Sequence, residues 1–86
     1  MDANIESETA RLAAALEDAS EELDLAADED ATAKEVEEAR ALATEVLSRY
    51  TSLLSRLDMD DKTGVQRSIG LKVAKIEALL TRFTAG

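Results

Sequence analysis

The chain has 86 residues, 45% of them hydrophobic and 34% charged, with a net charge of −9. Such a length allows one domain with a thin core, and such a balance excludes both a disordered polymer and a membrane-embedded body. Cysteine and histidine are absent, so disulfides and Cys/His zinc sites are impossible, and no proline interrupts a helix.

Tyr50 and Phe83 are the two aromatics, so the core has to come from Leu, Ile, Val and many Ala. Ala, Glu, Leu, Arg and Lys outweigh the β-branched residues, which favours helix over sheet. No apolar run is long enough to span a bilayer. The opening "MDANIESETARL" lacks a basic region followed by an apolar stretch, so no secretory leader is expected and an intracellular, cytoplasmic protein is the default reading.

The first helix is expected over 3–27. Ile5, Thr9, Leu12, Leu16, Ala19, Leu23 and Ala26 recur at alternating spacings of three and four, which gathers them on one stripe. Asp2 and Asn4 are both suitable caps. "LAADEDATAKE" then breaks the pattern with three consecutive acids.

The second helix is expected over 32–57. Thr32 and Glu35 have the spacing of a capping box, and Glu35, Glu37 and Glu38 sit where the helix dipole favours negative charge. Its stripe is Val36, Ala39, Ala43, Val46, Tyr50, Leu53 and Leu57, widened by Leu42, Leu47 and Leu54. Tyr50 reads as a core residue with its hydroxyl at an edge.

Next comes "DMDDKTG", residues 58–64, which superficially resembles a calcium loop. Such a loop needs oxygen ligands at positions 1, 3 and 5, glycine at 6 and glutamate at 12. Counting from Asp58 puts Lys62 at position 5, Thr63 at 6 and Ile69 at 12, so the ligand set fails. The stretch reads instead as a helix junction, with Asp58 leaving the second helix and Asp60 or Asp61 capping the third.

The third helix is expected over 61–84, with Ile69, Val73, Ile76, Leu80 and Phe83 inward and Val65 and Leu79 beside them. Gly70 sits mid-helix at a cost of about 1 kcal/mol relative to alanine, which implies either close approach by another helix or a weak point. On the opposite side stand Leu71, Ala74 and Ala78, edged by Arg67, Lys75 and Arg82. That strip suits a partner helix that is itself acidic.

Together these elements predict an all-α fold, an antiparallel up-down-up three-helix bundle with coiled-coil-like packing, occupying residues 1–86 as one domain. Residues 1–45 carry 15 acidic and 3 basic side chains, whereas residues 46–86 carry 4 and 7. This asymmetry fits an acidic helix lying against a basic one, a partner surface, or adaptation to a salty cytoplasm.

Chemistry is poorly supplied. Nucleophilic catalysis lacks His and Cys, no glycine-rich phosphate loop exists, and the carboxylate pairs fall opposite the apolar stripes. No enzyme activity, cofactor, metal or small-molecule substrate is expected. Few cations, no interleaved aromatics and the acidic first half argue against nucleic-acid and membrane partners.

The leading expectation is therefore a non-enzymatic protein-interaction module, a small subunit or adaptor. It binds another protein through Arg67, Leu71, Ala74, Lys75, Ala78 and Arg82, or it self-associates into a homo-oligomer because its own core is thin. The alternative is an acidic mimic of nucleic acid, using Glu17, Asp18, Glu21, Glu22, Asp24 and Asp28 to Asp30. A purely structural bundle is the third possibility.

Overall fold

Each helix starts where one oxygen takes up an otherwise unpaired backbone N–H. The computed structural model describes residues 2–85, and the helices are α1 (Ala3–Ala26), α2 (Ala33–Ser55) and α3 (Met59–Ala85). Met1 and Gly86, the ends of the expected domain, lie outside the described residues. Asp2 Oδ1 accepts from the Ile5 N–H at 2.9 Å, which selects Asp2 over Asn4 as the cap of α1. Thr32 Oγ1 accepts from the Glu35 N–H at 3.1 Å and caps α2.

At the second junction the structure corrects the sequence. Asp58, not Asp60 or Asp61, is the cap of α3: its Oδ1 accepts from the Asp61 N–H at 2.9 Å. The helix therefore begins at Met59, and Asp60 and Asp61 lie in its first turn, where the dipole favours them. α2 stops at Ser55, two residues early, because Arg56 and Leu57 turn their N–H groups to the carbonyls of Leu53 and Leu54. The connection before α2 is tied by Asp28, whose Oδ1 accepts from the Asp30 N–H at 3.2 Å.

With 27 residues, α3 is about 40 Å long at 1.5 Å per residue. The longest dimension of the molecule is 44 Å, so the helices lie close to one common axis. Contacts between the helices fix their directions. Arg56 Nη2 at the end of α2 meets Glu8 Oε2 near the start of α1 at 3.1 Å, as antiparallel neighbours must. Lys72 Nζ on α3 meets Glu17 Oε1 on α1 at 2.7 Å, and Lys75, further along α3, shares a hollow with Glu21 and Asp24, further along α1, so these two run parallel. An up-down-up three-helix bundle results.

The core takes Leu12, Leu16, Ala19, Leu23 and Ala26 from α1, Ala39, Ala43, Val46 and Leu53 from α2, and Val65, Ile69, Val73 and Ile76 from α3. Full burial of a Leu, Ile or Val contributes about 1.5–3 kcal/mol, so Leu16, Leu23, Ile69 and Ile76 dominate. Thr9, also on the stripe, is buried with its hydroxyl donating to the Ile5 carbonyl at 2.7 Å.

α1 packs broadly against both other helices, whereas the seam between α2 and α3 is thin. Accordingly Leu47, Tyr50 and Leu54 of α2, Leu57 just beyond it, and Leu79, Leu80 and Phe83 of α3 are half-buried at the margins of the core. The inward face of α3 thus runs from Val65 to Ile76 at full burial, and its expected continuation at Leu80 and Phe83 is looser.

Gly70 resolves one further expectation. A Cβ built on it meets nothing within 4 Å, so no helix of this chain approaches closely there. Within the chain, the glycine is a weak point.

Candidate functional site

Because Val65, Ile69, Val73 and Ile76 point inward, an advance of about 100° per residue turns the opposite arc of α3 to solvent. Arg67, Leu71, Ala74, Lys75, Ala78 and Arg82 all lie on that arc and all are exposed. Leu71 is 88% exposed, more than Met59 or Leu25, the other large exposed hydrophobes among the described residues. Arg67 and Lys75 stand one turn before and after it, so their stems flank an apolar strip while their charges edge it. Among the described residues, Arg67, Lys75 and Arg82 take no part in an ion pair.

Lys75 stands at the border of this face. With Lys72 it lines a shallow hollow whose α1 wall is Leu16, Glu17, Ser20, Glu21 and Asp24. The acidic helix and the basic helix are therefore neighbours in one molecule, which accounts for part of the charge asymmetry internally. Glu17 shows the effect. The hydrogen bond from Lys72, and then its positive charge, lower the Glu17 pKa from the ordinary 4.5.

That arrangement divides the acidic surface of the expected mimic. Glu17, Glu21 and Asp24 face the lysines of α3, and Asp18, Glu22 and Asp28 to Asp30 remain on the solvent side. The latter surround a residue that periodicity passed over. Leu25 is 66% exposed, with Glu21 and Glu22 one turn before it and Asp28 and Glu29 after it. A stripe search collects residues that repeat, and Leu25 stands alone on the outer face. Its signal in the sequence is its angular position, roughly 180° from Leu16 and 200° from Leu23 at 100° per residue.

Elsewhere some of the chemistry-bearing groups have structural duties. Asp58, the first residue of the calcium-like stretch, is the cap of α3. Among the described residues, no group of three or more carboxylates is placed to hold a metal ion. Tyr50 is half-buried near α3, and desolvation, followed by the charge of Glu77, raises its pKa above 10.0. Between α1 and α2 an open groove carries Glu8, Arg11, Glu45, Arg49 and Arg56, of which Glu8 and Arg56 pair across it. No described helix is long and apolar enough to cross a membrane.

No curated protein and no solved structure matches the chain. The family model of the embryogenesis-like protein helical domain matches residues 6–85, from the first turns of α1 to the last residue of α3. The match spans all three helices, and the chain belongs to the embryogenesis-like protein helical domain family.

Proposed function

We propose that this helical domain is a non-enzymatic protein-interaction module, a small subunit or adaptor that offers the outer face of α3 to a helix of a partner, either another protein or a second copy of the chain. The observation that carries the reading is Leu71, 88% exposed in the middle of α3, with Ala74 and Ala78 continuing its strip. Small residues beside a leucine let a second helix approach closely, and burying Leu71 removes apolar surface from water. Arg67, Lys75 and Arg82 edge the strip and select an acidic partner helix, since unlike charges at a rim steer encounter and set register. An intracellular, cytoplasmic setting belongs to the same reading.

The test compares the proteins captured by the wild type with those captured by Leu71→Asp. A control, Ala41→Asp, alters an exposed position on α2. Loss of a partner with Leu71→Asp alone, at unchanged helical content, is the expected result. Capture that survives Leu71→Asp removes this face from consideration.

A further inference from the structure

We infer that the occupant of the α3 outer face is a second copy of this chain, which docks there through the acid-ringed Leu25 of its α1. The inference rests on the reading of α3 just given and deepens it by naming the partner. The chain carries two exposed leucines in mirror-image electrostatic settings. Leu71 lies between Arg67 and Lys75, with Arg82 further along the same face. Leu25 follows Glu21 and Glu22 by one turn and Asp18 by two, and Asp28 and Glu29 come after it. Neither Arg67 nor Arg82, and neither Asp18 nor Glu22, takes part in an ion pair among the described residues.

Charge then decides which faces meet. Two α1 faces brought together crowd acids against acids, and two α3 faces crowd cations against cations, so only the unlike pair is compensated. A net charge of −9 on each copy disfavours every contact without such local compensation. The contact is therefore between different patches of identical chains. Each outer face points away from the shared core, so occupying one leaves the other open. Repetition of an unlike-face contact gives rings when the rotation closes and filaments when it does not. Two copies that exchange both contacts close as a two-fold dimer, the smallest such ring, and an open rotation carries assembly further.

Sedimentation velocity of the full chain, from micromolar to millimolar concentration, tests this. The wild type shows a mass that rises with concentration, to two copies where the contacts close reciprocally and beyond two where they do not. Leu71→Asp and Leu25→Lys each lose one patch, and each weakens assembly at least tenfold. Mixed in equal amounts they recombine and stop at the dimer, because the mixture retains one intact patch of each sign. Circular dichroism checks that both variants remain helical, and the milder pair Arg67→Glu and Glu22→Arg repeats the experiment should either leucine variant unfold.

A wild type that stays monomeric at millimolar concentration overturns the self-contact. So does a mixture of the two leucine variants that fails to recombine. Should the wild type be monomeric while Leu71→Asp still loses a captured protein, the α3 face stands and only its proposed occupant falls. Should Leu71→Asp change neither assembly nor capture, both fall.

Discussion

Gly70→Ala makes the chain more stable. The position lies inside α3, where glycine costs about 0.8–1.0 kcal/mol relative to alanine because it surrenders more backbone freedom on folding. The new methyl group meets nothing within 4 Å, so no clash offsets the gain. The entropy of unfolding is about 2.1 cal/mol/K per residue, which for a chain of this size makes 1 kcal/mol equal to about 5 °C in Tm. Thermal unfolding followed by circular dichroism should therefore show Tm raised by about 4–6 °C on this scale. An unchanged or lowered Tm refutes the reasoning, since it means that the space beside residue 70 is filled or that α3 is not helical there.

Other perturbations separate the remaining structural assignments. Asp58→Ala removes the cap of α3 and costs about 1 kcal/mol, whereas Asp60→Ala and Asp61→Ala, which lack that bond, cost less; chemical denaturation of the three variants ranks them. Leu16→Ala opens the centre of the core at a fully buried site and costs about 2–5 kcal/mol, a large part of the stability of so small a domain. Lys72→Gln raises the Glu17 pKa back toward 4.5, as read by NMR titration of its carboxyl. The sign follows from linkage: a carboxyl with a depressed pKa in the folded state stabilises above its unfolded pKa. That contribution is lost as pH falls through the folded value, so the wild type loses this small advantage over Lys72→Gln in acid.

The number of helices, their order and their inward faces were legible because each depends on spacing within one segment. Leu12, Leu16 and Leu23 repeat on α1, and Thr32 announces α2 by its distance from Glu35. The junction before α3 was harder. Asp58, Asp60 and Asp61 are chemically equivalent caps, and the choice turns on which oxygen meets an N–H three residues on. Only backbone geometry reveals that. The pairing of Glu17 with Lys72 was equally hidden, because it depends on how α1 and α3 are rotated about their axes relative to each other. On the candidate face, the exposed positions of Arg67, Leu71, Ala74, Lys75, Ala78 and Arg82 follow from periodicity alone. The share of Lys75 in the hollow beside α1 required the packed molecule, whereas Leu25 carried its signal in its angular position and was passed over because it does not repeat.

The thin seam between α2 and α3 also orders the events of opening. Since α1 borders both neighbours broadly, it is the helix that neither α2 nor α3 can do without. When α3 lifts away, an α1–α2 hairpin remains with its local connection intact; when α1 melts, little holds the other two together. Amide exchange should accordingly be slowest at the middle of α1 and faster along α2 and α3. The helix that carries the exposed Leu71 is thus held mainly by α1, and a partner seated on it would act as a clasp, slowing the exchange of a helix it touches on one side only.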